Sequence, residues 1–372
     1  MSNHHMKKHF PIEAFKHKVI MDPNIAHENW KIIEHAIHQI YNHNANAVAC
    51  EVIYRHAYNM VLQNFGEKLY SGLVATMTSH LKEMATSIEG TQGDSFLEEL
   101  NKKWNHHHKS LQMIRDIMMY MDNKYVPNAQ KTPVYELGLN LWTEHVIYSE
   151  QIKTRLSNTL LDLICRERVG EDVNGELIRN TTKMLMDLGS SVYEQEFETP
   201  FLQVSAEFYR AESQKFIDCC DCGDYLKTVE RCLDEEMDRV CEYLDPSTEK
   251  KITNVIEKEM IANYTLRLIH MENSGLLNML RDDKYEDLCR MYNLFCRVSD
   301  GFYKIFEVMI LHVRKSFKEL ITQLERSDDP SEFVQRLLDE QHKYEKIINL
   351  AFNNDKLFQY ALYCSFEVFT DF

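Results

Sequence analysis

The chain reads as an all-α protein. Three observations carry that reading. Apolar residues recur at three- and four-residue spacing almost throughout, with no convincing period-two run. Glycine (11) and proline (7) are scarce among 372 residues, so breaks are few and short. Hydrophobic residues make up 44%, which supplies a large core and argues against disorder.

The stripes can be followed in order. Ile33, Ile37 and Tyr41 repeat every fourth residue, as do Tyr54 and Tyr58, which spacing sets on one helix face. Ile152, Leu156 and Leu160 continue into Leu163 and Ile164. Ile252, Ile256, Met260, Tyr264 and Leu268 read as one stripe over several turns. Phe302, Phe306, Ile310, Val313, Phe317, Leu320 and Leu324 read as another. Breaks are expected from Val126-Pro127-Asn128 to Pro133, from Gly170 to Gly175, and at Asp245-Pro246-Ser247. Asp329 as N-cap, Pro330 at the first helical position and Glu332 form a capping-box start. None of these loops has the length of a flexible linker, so the helices are expected to stack continuously.

Composition narrows the function. A formal net charge of −16 disfavours a nucleic-acid backbone or an anionic membrane as main partner. No segment reaches the ~18–20 consecutive apolar residues of a membrane span. The opening MSNHHMKKHFPIEAF has no signal-peptide core, and ten cysteines are scattered without framework spacing. Free thiols in the cytoplasm, the nucleus or both are the expectation.

Candidate catalytic and metal patterns fail on inspection. Cys219-Cys220-Asp221-Cys222 has no second ligand pair nearby, where zinc needs about four ligands; a turn between helices is the plainer reading. His35 and His38 share a face, whereas consecutive His106, His107 and His108 diverge; solvated helix faces are the expectation for all of them. His27-Glu28 has Lys31 where a zinc protease places its second histidine. Gly66-Glu67-Lys68 lacks the rest of a phosphate loop, and Ser190-Ser191 lacks the flanks of a hydrolase elbow. The many carboxylates read as a solvated acidic surface. No cofactor, metal or catalytic residue is expected.

One run is more specific. IYRHAYNMVLQNFGEKLYSGL, from Ile53 to Leu73, resembles the second-helix region of the cullin family, cullin-3 type in particular. Ordered similarities continue in FLEELNKKWN (96–105), MIRDIMMYMD (113–122), TLLDLICRERVGE (159–171), SVYEQEFETPFLQVSAEFYRAESQKF (191–216), HMENSGLLNML (270–280), YEDLCRMYNLF (285–295) and FNNDKLF (352–358). FPIEAFKHKVIMDP, from Phe10 to Pro23, looks most like the plant type.

The resemblance implies an elongated stack of three five-helix cullin repeats, at about 24–150, 151–265 and 266–372, after an N-terminal extension over 1–23. It implies a non-catalytic scaffold of a ubiquitin ligase, whose first repeat binds BTB-domain substrate adaptors. By that likeness the adaptor-binding positions are Phe15 in the extension, then Val48, Cys50, Glu51, Tyr54 and Tyr58 at the second helix, and Met119 and Tyr120 at the fifth. Cys50 stands where the family has a large aromatic, and Val52 where it has an acid, so weakened or retuned docking is expected. The free chain is expected to be a monomer. The family also continues beyond a segment like Ser365–Phe369 into a half that recruits a RING-finger protein. A chain ending at Phe372 would alternatively act as an adaptor-binding decoy or as a relict helical protein.

Overall fold

The computed structural model describes residues 22–44, 46, 48–93, 95–324 and 330–370. All regular elements among them are helical. The chain divides into two compact units, Met1–Thr159 and Leu160–Phe372.

In the first unit, α1 (Pro23–Tyr41) starts where the Asp22 carboxylate accepts from the Asn24 N–H at 2.9 Å, with proline at the first position. The expected stripe is the buried one: Ile33, Ile37 and Tyr41 are joined by Ala26, Trp30 and Ile40. The next helices are α2 (Cys50–Leu62), α3 (Gly66–Glu89), α4 (Ser95–Ile117), α5 (Met119–Asn128) and α6 (Val134–Trp142), the last running into a π turn at Thr143–Ile147. Helix α1 packs on α2, α3 and α4, while α2 also rests on α5. Two glycines allow close approaches. A Cβ on Gly66 would meet the Tyr125 ring at 2.3 Å, and one on Gly138 would meet Leu111 Cδ1 at 2.3 Å.

Helix α7 (Glu150–Arg168) contains the division between the units. The second unit continues with α8 (Gly175–Leu188), α9 (Ser190–Tyr193), α10 (Thr199–Cys219), α11 (Cys222–Tyr243) and α12 (Glu249–Ile256). It ends with α13 (Thr265–Ile269), α14 (Leu276–Arg281), α15 (Tyr285–Phe295), α16 (Gly301–Leu324), α17 (Pro330–Ala351) and α18 (Lys356–Thr370). Helix α11 packs on α8, α12 and α15; α16, α17 and α18 pack on one another.

Four expectations need correction. Pro127 is inside the last turn of α5 rather than in a loop, so the break begins only after Asn128. The stripe from Ile252 to Leu268 is not one α-helix. A π turn at Glu257–Ile261 and a 3₁₀ turn at Ala262–Tyr264 interrupt it. The extra residue of the π turn brings Ile261 inward beside Met260, and Tyr264 is left half-buried. In α16 the early core residues are Ile305 and Met309, while Phe302 and Phe306 are half-buried. Both instead lie against Phe358 of α18, with ring centroids at 5.7 and 5.1 Å.

The fourth correction concerns the histidines. His107 is fully buried, and His38 and His106 are half-buried, rather than solvated. The His107 Nε2–H donates to the Gly138 carbonyl at 3.2 Å, and Nδ1 accepts from the Tyr41 hydroxyl at 3.1 Å. Both ring nitrogens are satisfied in the neutral form, so the ring can sit in the core stacked on Trp142. The Asp329 cap lies outside the described residues, although α17 does start at Pro330.

Candidate functional site: the α2–α5 face

The candidate docking positions fall at two helix starts in the first unit. Val48 is half-exposed just before α2, and Cys50 is its exposed first residue. Ala49, at the cap position, offers no side-chain hydrogen bond to the α2 N-terminus. Glu51 is exposed in the first turn, where a carboxylate complements the helix dipole, and it accepts from Arg55 Nη2 at 2.6 Å. Ile53, Ala57 and Met60 turn inward and anchor α2. That leaves Tyr54 and Tyr58 one step round the helix, both half-buried.

Helix α5 comes alongside because α4 ends at Ile117 and only Met118 intervenes. Met119 is 52% exposed and Tyr120 half-buried. The rings of Tyr58 and Tyr120 lie 4.3 Å apart, and those of Tyr54 and Tyr58 lie 6.4 Å apart. Three tyrosines thus form one continuous aromatic strip across α2 and α5, with both ring pairs close enough to pack on each other. Val48, Cys50, Glu51, Tyr54, Tyr58, Met119 and Tyr120 all belong to this region; Phe15 lies outside the described residues.

Two side-chain bonds hold the frame. His56 Nδ1 contacts Asn29 Oδ1 at 2.8 Å and ties α2 to α1. Tyr125 of α5 donates to Glu67 at the start of α3, which lowers the Glu67 pKa. The pair packs over Gly66, so that glycine serves helix packing rather than phosphate binding.

Sequence reasoning missed one part of the surface. An open groove of about 600 Å³ lies between α1 and α2, with Ile32, His35, Val48 and Val52 among its lining. Ile32 is 42% and Val52 50% exposed. Ile32 sits one residue before the buried stripe position Ile33, and that offset was the available signal. The arrangement can offer aromatic and aliphatic surface with a flanking carboxylate to another protein. Among the described residues no group of three or more His, Cys, Asp or Glu side chains is placed to hold a metal ion. No described helix is long and apolar enough to cross a membrane.

Comparison with known proteins bears on the whole chain. Residues 30–371 match the cullin alpha solenoid domain. Cullin-3B of Arabidopsis thaliana is 60% identical over 371 residues, covering 100% of this chain and 50% of the relative. Cullin-3A of the same plant is 60% identical over 369 residues, again reaching 50% of its length. Cullin-3 of Dictyostelium discoideum is 43% identical over 356 residues, 95% of this chain and 46% of the relative. The chain thus spans about half the length of these curated relatives.

Proposed function

Because the chain belongs to the cullin family, we propose that it is the adaptor-binding part of a scaffold in a ubiquitin ligase, docking BTB-domain adaptors through the α2–α5 face. The observation that carries this reading is the aromatic strip of Tyr54, Tyr58 and Tyr120, flanked by exposed Met119 and Val52. Interfaces gain most of their energy from a few such aromatic and aliphatic anchors. Val48, Cys50, Glu51, Tyr54, Tyr58, Met119 and Tyr120 are the proposed contact residues. The proposed repeats are 24–150, 151–265 and 266–372.

The role is non-catalytic. Holding a bound substrate at a raised effective concentration near a separately recruited RING-finger module is the contribution. Cytoplasm and nucleus are the proposed compartments. Cys50 is small and exposed, so it fills less of a partner pocket than an aromatic would, and Val52 adds apolar surface where the groove begins. Retuned rather than abolished docking is therefore proposed.

Calorimetric titration with a purified BTB-domain dimer tests this. Binding of about one chain per BTB protomer is expected. A Tyr58→Ala variant is expected to lose about 2 kcal/mol of binding, close to thirty-fold. Unchanged circular dichroism would separate that loss from unfolding. Absence of heat and of co-elution, with an adaptor that binds another cullin-3 tightly, would overturn the docking reading for that adaptor.

A further inference from the structure

A second site lies in the other unit, at the junction of α10 and α11. Cys219 is the last residue of α10, and Cys220 follows with an extended backbone (φ −107°, ψ 156°). On a continuing helix two successive side chains would point about 100° apart. The helix ends here, and the second thiol swings back toward the first, so that the two sulfurs lie 3.6 Å apart. Cys219 is exposed and Cys220 half-exposed. Both line an open cavity of about 930 Å³ with Ile217, Met271 and His270. The Asp218–Arg267 ion pair, at 2.6 Å, braces its rim.

The pair suits few ligands. A disulfide is poorly matched, because its Cα atoms are usually ~4.4–6.8 Å apart and consecutive residues stand only ~3.8 Å apart. A linear two-coordinate metal would need the sulfurs on opposite sides of it. Tetrahedral zinc needs two further protein ligands, and no such group is assembled among the described residues. A trivalent arsenic centre is soft and pyramidal. It takes two sulfurs at about their van der Waals contact, and its third bond is to its own hydroxyl or aryl group.

We propose that Cys219 and Cys220 form a vicinal-dithiol site for trivalent arsenicals, which bind there as a cyclic dithiolate. With arsenous acid, two S–H bonds and two As–O bonds break and two S–As bonds form. Each thiol proton leaves on a departing oxygen, so two waters are released, and arsenic stays trivalent. Nothing is oxidised or reduced. The hydrogen bond with Cys219, followed by burial and the nearby aspartates, pushes the Cys220 thiol above its ordinary pKa. That favours condensation from the neutral thiols over thiolate exchange chemistry. Ile217 and Met271 give an aryl substituent apolar surface to rest on.

Phenylarsine oxide is the probe, added to the full chain in excess glutathione and read by intact mass. One phenylarsenic adduct per chain is expected, less the two thiol hydrogens, with one water released. It should survive the monothiol and be removed by 2,3-dimercaptopropanol. In Cys219→Ser and in Cys220→Ser, retention should fall about a hundred-fold, because closure of the second bond is no longer intramolecular. Cys241→Ser, at an exposed lone cysteine, should change nothing. Absence of an adduct on the native chain, or an adduct retained by Cys219→Ser, would overturn the proposal.

Discussion

The two units bury polar groups in different ways. In the first, the polar core is neutral. The Tyr41 ring stacks on His80 and its hydroxyl bonds His107, while His38 Nδ1 and His80 Nε2 are 2.8 Å apart. In the second, neutral pairs such as Tyr193 with Thr248 are joined by a buried ionic cluster. Glu236 Oε1 accepts from Arg168 Nε at 2.8 Å, Arg239 Nη1 at 2.6 Å and the Tyr209 hydroxyl at 2.5 Å. The Glu236 and Arg168 side chains are 1% and 2% exposed. Arg168 donates further to Ser205 at 2.7 Å and lies 5.2–5.3 Å from the ring centroids of Phe201, Phe208 and Tyr209. The second cluster ties α7, α10 and α11 together by charge, whereas the first joins α1, α3, α4 and α6 without any.

The difference teaches where each unit is vulnerable. Burial raises the Glu236 pKa, but Arg168 and Arg239 outweigh it and the net shift is downward. The ionic cluster therefore fails when a partner is removed. Burial, with the neighbouring His106 and His108 adding to it, drives the histidine the other way, lowering His107 to about 4 against an upward pull from the Gly138 hydrogen bond. The neutral cluster therefore fails when protons are added.

The largest expected effect comes from Glu236→Ala. It leaves two buried guanidinium groups without their shared carboxylate and should destabilise the second unit by about 3–5 kcal/mol. Hydrogen exchange resolved to α11 is the readout, since two units need not unfold together. Exchange in α11 equal to the parent's would break the contrast.

Acidification should rank next, and in the first unit. His107 titrates at about 4 when folded, against about 6.5 unfolded. A depressed folded value contributes stability that is present above pH ~6.5 and lost as pH falls toward 4, worth about 3 kcal/mol. His106, also lowered to about 4, acts in the same direction. Exchange in α4 should quicken across that window. His107→Gln should weaken the unit at neutral pH while flattening that dependence. An equally steep fall in the variant would place the acid sensitivity elsewhere.

A smaller loss, about 1.5 kcal/mol, is expected from Tyr209→Phe, which removes one charge-assisted hydrogen bond but keeps the ring. Denaturant melts should register it; a loss as large as that of Glu236→Ala would mean that the Tyr209 hydroxyl, rather than the ion pairs, holds the cluster. The exposed Glu51–Arg55 pair marks the lower bound. Arg55→Ala should cost no more than about 0.5 kcal/mol, a value salt should erase. A salt-resistant loss above about 1 kcal/mol would mean that the exposed pair on α2 contributes more than a solvent-screened pair should.

Much of this was legible before the fold was known. The helical class, the inward stripe Ile33–Ile37–Tyr41 and the shared face of Tyr54 and Tyr58 follow from period alone. The meeting of Tyr58 with Tyr120 does not follow from period, because it depends on how α5 folds back beside α2 after the break at Met118. Family likeness had placed both on one surface, although pattern could not bring their rings to 4.3 Å. The inward face of α16 was missed by a residue because Phe302, Ile305, Phe306, Met309 and Ile310 are all apolar. In so uniform a run the partner helices choose the buried side.

By itself, the sequence determined that the chain is helical, though not where Pro127 or the turns over 257–264 fall, and, through its ordered likeness, which family it belongs to. Short-range periodicity and capping are local interactions, and a one-dimensional string records them fully. Only the tertiary structure decided that His107 is core rather than surface, that Arg168 and Arg239 share one carboxylate, and that Ile32 and Val52 flank an open groove. The reason is desolvation. Whether a polar side chain sits in water or in the core depends on partners tens of residues away, such as Tyr41 for His107 and Arg168 for Glu236.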